Sequence, residues 1–320
     1  MTVSEWLQRE IPDLSGKTII VTGGNSGIGY EAVRLFAKQH AHVVMSSRNE
    51  ERGHTAAEAI RSEIPNASIQ VIRLDLADLD SVKSFADTVR RTYDTIDILV
   101  NNAGVMALPY RKNKHGFEMQ FATNHLGHFA LTGHLLPTLL QNPTSRIVTV
   151  SSSAHQIGKI QFDNLHWEFK YNRWRAYGQS KVANLLFTYE LQRRLEAAGS
   201  SVMAVAAHPG WAATNLQTAG PKLENATLKI KLYDSLNRWF GQSAEMGALP
   251  TVFAAASESI QGGQYVGPDG FNEARGFPQV TKSNDYSYDK DVAKRLWRVS
   301  EELTGVRFEL DEAKTSQSVI

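Results

Sequence analysis

A chain of 320 residues, 42% of them hydrophobic, suggests one large domain or at most two modest ones, with ample material for a core. Its 34 Lys and Arg stand against 33 Asp and Glu, a net charge of +1 that gives no general pull on nucleic acid or anionic lipid. Cysteine is absent, which excludes disulfides, thiolate nucleophiles and cysteine-ligated metals.

The opening MTVSEWLQREIPDL lacks a basic region followed by an apolar run, so it does not read as a signal peptide. No stretch reaches the roughly 18 apolar residues of a membrane span, and the expected location is the cytosol. Residues 1–15 read as an N-terminal extension, 16–305 as one domain and 306–320 as a polar tail. From Gly16 to about Tyr265, apolar β-branched runs at 18–21, 42–45, 69–72, 96–100, 146–150 and 202–205 alternate with amphipathic segments. Those segments, among them 31–39, 50–63, 81–93 and 181–198, have helical period, and a further helix is expected at 290–303. Most of the runs are nearly all apolar, which suits strands buried on both faces of a parallel sheet. The alternation predicts an α/β fold, a single Rossmann-type doubly wound parallel sheet. Residues 211–242 break the rhythm with Leu216, Leu223, Leu228, Ile230, Leu232, Tyr233, Leu236, Trp239 and Phe240 among polar neighbours, and read as a small helical flap on the substrate side.

The first strand runs into Thr22-Gly23-Gly24-Asn25-Ser26-Gly27-Ile28-Gly29 and then a helix. Glycines there permit a tight turn and let the backbone approach a pyrophosphate at a helix N-terminus. Gly23, Gly27 and Gly29 fit G-x-x-x-G-x-G rather than G-x-G-x-x-G, and no Gly-Lys-Ser/Thr follows, which rejects a nucleotide-triphosphatase loop. Gly23, Asn25, Ser26, Gly27, Ile28 and Gly29 are therefore candidate cofactor residues. The second strand ends Met45-Ser46-Ser47-Arg48 with no carboxylate before Glu50, so nothing acidic waits there for a ribose 2′-hydroxyl. With Ser47 beside it, Arg48 suits a 2′-phosphate, which makes NADP(H) the expected cofactor; a solvated arginine opening the next helix is the rival reading. Asp75, followed by Leu76, either accepts from an adenine amino group or caps a helix.

Tyr177-Gly178-Gln179-Ser180-Lys181 spaces a phenol and an ammonium four residues apart, on one face of a helix. A free phenol has a pKa of roughly 10. A nearby cation favours phenolate, which would make Tyr177 a usable acid/base for a carbonyl–alcohol pair. Alone, that spacing also describes an ordinary helix face. Its position after a glycine turn and a serine-ending strand is what distinguishes it.

With Asn101-Asn102-Ala103-Gly104, Asn124, Val150-Ser151-Ser152 and Pro209-Gly210 added in that order, the chain resembles the short-chain dehydrogenase/reductase family over roughly residues 16–270. The resemblance implies that Tyr177 exchanges the proton and Lys181 tunes it while holding the nicotinamide ribose. It implies that Ser152 bonds the substrate oxygen and Asn124 anchors a proton-supplying water chain. Asn102, Ala103 and Gly104 would pass close to the cofactor, as would Pro209 and Gly210, and Thr214 beyond them would meet its carboxamide or phosphate side. Hydride would pass directly, with no metal required. Three consecutive serines leave the choice at Ser151, Ser152 or Ser153; alignment of the strand selects Ser152, with its neighbours pointing the other way.

Between Ser152 and Tyr177 lie text such as Gly158-Lys159-Ile160-Gln161-Phe162-Asp163-Asn164-Leu165 and a spacing longer than the family's common one. This insert, Asn124-His125-Leu126-Gly127-His128-Phe129 and the run from Ser180 to Thr188 resemble retinol dehydrogenases and WW-domain-containing oxidoreductases. No WW module or hydrophobic anchor is seen, and the cysteines of light-dependent protochlorophyllide reductases have no counterpart. The resemblance implies an aldehyde, ketone or alcohol substrate of lipophilic kind, and pairing into homodimers or homotetramers. Trp167, Phe169, Tyr171, Trp174 and Trp211 either line an apolar pocket or pack the insert on the sheet. His125, His128, His155 and His208 lack acidic ligands at fixed spacing and read as structural. A non-enzymatic NADP(H)-binding scaffold on the same fold is the alternative function.

Overall fold

The computed structural model describes residues 1–211 and 242–310. Most of the expected flap, Thr214 with it, and tail residues 311–320 lie outside the described residues. Eight described strands form one sheet: β1 Thr18–Val21, β2 His42–Ser47, β3 Ser68–Arg73, β4 Ile98–Asn101, β5 Arg146–Val150, β6 Met203–Ala207, β7 Tyr265–Pro268 and β8 Pro278–Thr281. Their order is β3-β2-β1-β4-β5-β6-β7-β8. The first seven run parallel and β8 closes the edge antiparallel, the one departure from the expected parallel sheet. Strand order reverses between β1 and β4, and a crevice opens at the carboxyl ends of such strands.

The helices among the described residues are α1 Val3–Glu10, α2 Gly27–Lys38, α3 Glu50–Glu63, α4 Leu79–Thr92, α5 Met119–Phe121, α6 Gly127–Leu140, α7 Arg173–Ala197, α8 Ala244–Ala256 and α9 Lys290–Thr304. Strand side chains alternate between two cores because successive residues face opposite sides of a sheet. Ile19, Val21, Val43, Met45 and Val100 pack with α1, α2, α3 and α8. Ile20, Val44, Leu99 and Ile147 pack with α4, α6, α7 and α9. Both faces are therefore covered, which is why the strands read as apolar without alternation.

Several element boundaries differ from the sequence reading, two of them at the site. Helix α2 begins at Gly27 rather than 31, since the glycine turn is itself the first helical turn. Helix α7 begins at Arg173 rather than 181, because the Asn172 side chain accepts the Trp174 and Arg175 amides and caps it. Tyr177 and Lys181 consequently share one helix. Residues 3–10, read only as an extension, form a helix with a complete Thr2/Glu5 capping box that buries Trp6 and Leu7.

The tail expected to be polar from 306 starts apolar. Val306 and Phe308 cover α6 at Gly133, where a Cβ would lie 2.6 Å and 3.0 Å from their side chains. The Phe308 ring sits 4.5 Å from Trp297, 4.8 Å from Phe129 and 6.1 Å from Phe187. Val306 and Phe308 alternate with exposed Arg307 and Glu309, a pattern that mean polarity hides. Phe308→Ala is expected to lower the unfolding free energy by about 2 kcal/mol, less than for a fully buried ring. Urea denaturation measures this; a change within about 0.5 kcal/mol, the surface level, would contradict the packing role.

Candidate active site

A cavity of about 590 Å³ lies over the carboxyl ends of the central strands. Gly23, Asn25, Ser26, Gly27, Ile28, Gly29, Ser47, Arg48, Asp75, Leu76, Asn102, Ala103, Gly104, Ser152, Tyr177, Lys181, Pro209 and Gly210 all line it. Asn124 stands behind the wall. Arg52, Arg111, Met106, Met119, Ile157 and Thr123 also line the cavity and were not singled out from sequence.

At one end the glycine turn meets the N-terminus of α2. Gly23 has φ +65, and a Cβ on Gly29 would lie 2.4 Å from the Gly23 carbonyl and 2.5 Å from Asn102 Nδ2. No side chain caps the α2 N-terminus at Ser26, so its first amides remain available to an anion. Asn102 Nδ2 donates to the Thr22 carbonyl at 2.8 Å, and the Asn102 and Ala103 amides both donate to Thr22 Oγ1 at 2.9 Å. Thr22 thereby holds the turns after β1 and β4 together.

Arg48 and Arg52 line the same end, and neither pairs with a carboxylate among the described residues. Arg52 lies in the first turn of α3, four residues after Arg48, with its amide capped by Asn49 at 2.9 Å. Asp78, not Asp75, caps α4, which disposes of the rival reading of Asp75. Asp75 faces the cavity and accepts the Ala77 amide at 3.0 Å.

The other end carries the polar groups of β5 and α7. Lys181 Nζ donates to the Val150 carbonyl at 3.0 Å and lies 5.8 Å from the Tyr177 ring centroid. Ser151 Oγ is committed to the Lys181 carbonyl at 2.9 Å, and Ser153 is exposed. Ser152, whose Oγ accepts the Ala154 amide at 3.3 Å, is the serine whose hydroxyl acts on the Tyr177 phenol. Asn124 sits in a π-helical turn, Ala122–Leu126, a widening of the helix common at functional positions. Its side chain accepts the Val105 amide at 2.8 Å and donates to the Val105 carbonyl and Ser180 Oγ at 2.9 Å each.

The protein alone does not lower the Tyr177 phenol as the sequence reading expected. Burial pushes it up to about 12, and the nearby Ser152 hydroxyl offsets only part of that. Lys181 is turned toward Val150, and burial brings its own ammonium down to about 8. Desolvation is the leading cause for both groups. Tyr177 is therefore a neutral phenol near pH 7, the form that can donate a proton.

The aromatic residues divide between the two roles considered for them. Trp174 and Trp211 line the cavity, with Trp174 edge-on to Tyr177 at 6.5 Å. Trp167 is buried against Tyr171, whose hydroxyl donates to the Leu108 carbonyl at 2.7 Å, and Phe169 is exposed. The four histidines are occupied by protein groups. His125 bonds Ser300, His128 bonds Thr22 and the Asn124 carbonyl, His155 bonds the Ser152 carbonyl, and His208 bonds Glu273. Among the described residues no helix is long and apolar enough to cross a membrane.

Comparison with known proteins agrees with this geometry. The short chain dehydrogenase family model matches residues 17–224. Human retinol dehydrogenase 13 is 39% identical over 92% of this chain and 86% of its own, and mouse retinol dehydrogenase 12 is 38% identical over 92% and 89%. A solved structure of an uncharacterized protein from Mycobacterium paratuberculosis is 42% identical, with TM-score 0.77 over 94% of this chain and 97% of that one. Another, described as an NAD(P)-dependent gluconate 5-dehydrogenase from Beutenbergia cavernae with bound NADP, is 26% identical, with TM-score 0.62 over 79% and 95%. Its sheet order, its site and these likenesses together establish that the chain belongs to the short-chain dehydrogenase/reductase family, as an oxidoreductase similar to the retinol dehydrogenases.

Proposed function

We propose that this protein is an NADP(H)-dependent oxidoreductase that interconverts a carbonyl and an alcohol on a lipophilic small molecule, with Tyr177 as general acid/base. The observation that carries the reading is the placement of Ser152, Tyr177 and Lys181 in one cavity with an uncapped helix N-terminus and two arginines that have no carboxylate partner among the described residues. That set fits a dinucleotide phosphate: amides of α2 for the pyrophosphate, and Arg48 with Arg52 for a 2′-phosphate. NADP in the Beutenbergia relative is consistent with this choice.

When bound, the dinucleotide supplies or accepts the hydride. In reduction, the Tyr177 hydroxyl gives its proton to the carbonyl oxygen as the new alcohol forms. Ser152 donates a hydrogen bond to the same oxygen, where charge develops. Lys181 would hold the ribose hydroxyls and, as an ammonium beside the phenol, would ease loss of the Tyr177 proton. Ile157, Met106, Met119, Trp174 and Trp211 give the cavity an apolar lining, and relatives named for retinol support a lipophilic aldehyde, ketone or alcohol as substrate.

Tyr177→Phe is expected to cut turnover by about 10²–10⁴-fold while NADPH still binds by fluorescence titration. Retained turnover on a panel of aldehydes, ketones and alcohols would refute the assignment. Arg48→Ala should raise KM for NADPH about tenfold or more and leave KM for NADH nearly unchanged, since only NADPH offers a 2′-phosphate. An equal effect on both cofactors would remove Arg48 from that role. For carbonyl reduction, kcat/KM for the cofactor reports the free enzyme. Lys181 is cationic below about pH 8 and neutral above it, so this quantity should fall as pH rises through about 8. A profile level to pH ~10, the unperturbed lysine value, would contradict a fall governed by the buried Lys181 ammonium.

A further inference from the structure

Pro209 and Gly210 line the cavity, but the residue before them faces neither cavity nor solvent. His208 is 1% exposed and stacks on Tyr265, ring centroids 5.1 Å apart. Gly267 leaves the ring its room, since a Cβ there would lie 2.1 Å from His208 Nε2. The Gly210 amide donates to His208 Nδ1 at 3.3 Å, and His208 Nε2 lies 2.8 Å from Glu273 Oε2. An amide has only a proton to offer, so Nδ1 is the bare nitrogen and Nε2 carries the hydrogen it gives to the carboxylate. Glu273 therefore selects the tautomer that Gly210 needs.

Glu273 reaches this position at a backbone cost. It has φ 53 and follows Asn272 at φ 50, two successive non-glycine residues in the left-handed region. The His208 hydrogen bond holds its carboxyl below the usual range, and Thr281 bonds its other oxygen. The same return segment accepts the Trp211 amide on the Ala274 carbonyl at 2.7 Å, and Gln242 Nε2 donates to the Pro209 carbonyl at 2.7 Å. Strain in a segment gripping a cavity loop is the sign of a position maintained for use.

We propose that Glu273 and His208 form a carboxylate–imidazole–amide relay that positions the Pro209-Gly210 turn against the cofactor. Both are positioning residues, since neither lines the cavity. The inference rests on the dinucleotide reading of the site. Its test is steady-state kinetics with fluorescence titration of NADPH and NADH on the full chain, alongside thermal melting. His208→Phe keeps a ring but removes the acceptor, whereas His208→Asn keeps an acceptor near the Nδ1 position. The first should raise KM for the cofactor about tenfold, with a smaller effect on kcat, and the second should restore most of the loss. Glu273→Leu, which keeps the imidazole but not the tautomer selection, should behave like His208→Phe and serves if that variant does not fold. Unchanged KM in a folded His208→Phe or Glu273→Leu variant overturns the relay, as does equal loss in the Phe and Asn variants at position 208. Failure of the wild-type chain to bind either dinucleotide would instead overturn the reading of the site, and the relay with it.

Discussion

The hydroxyl of Thr22 is the point on which the arrangement of the site depends. Its two lone pairs take the amides of Asn102 and Ala103, and its proton faces His128 Nε2 at 2.9 Å. His128 Nδ1 meets the Asn124 carbonyl at 3.0 Å, Asn124 Nδ2 bonds Ser180 Oγ, and Ser180 Oγ donates to the Tyr177 carbonyl at 2.8 Å. A continuous buried path thus joins the glycine turn to the helix that carries Tyr177 and Lys181. Burial keeps His128 down to about 4, so the ring stays neutral and serves as one donor and one acceptor, which the path requires. In so dry a setting a single orphaned group costs about 1–3 kcal/mol, so the path holds as a unit.

The same dryness sets the chemistry. A phenol and an ammonium placed together in water would each be near their free values. Buried, both are driven toward their neutral forms, the phenol up to about 12 and the ammonium down to about 8. The protein therefore supplies a protonated donor by exclusion of water, before any ligand contributes charge. Anionic groups entering the cavity would favour the Lys181 ammonium again, which couples occupation of the site to its protonation.

The tertiary structure also assigned work to segments whose composition was uninformative. The long insert between Ser152 and Tyr177 divides its aromatic residues, Trp174 to the cavity and Trp167 to packing, according to backbone turns that polarity does not encode. Phe308 joins a cluster of rings on α6, α7 and α9 because three helices distant in sequence converge there. Glu273 meets His208 across 65 residues of chain.

What the sequence determined by itself is what local periodicity and short motifs carry. Nearly all-apolar runs at β1, β2 and β4 encode burial on both faces, the glycine spacing encodes the turn, and the four-residue spacing from Tyr177 to Lys181 encodes a shared helix face. These signals act over a few residues and survive without knowledge of neighbours. Left to tertiary structure were the outcomes decided by contacts between distant segments: which way Lys181 turns, that burial raises the Tyr177 phenol, and that Glu273 fixes the tautomer of His208. Each is a balance of burial against partner distance, and neither quantity exists until the chain has folded.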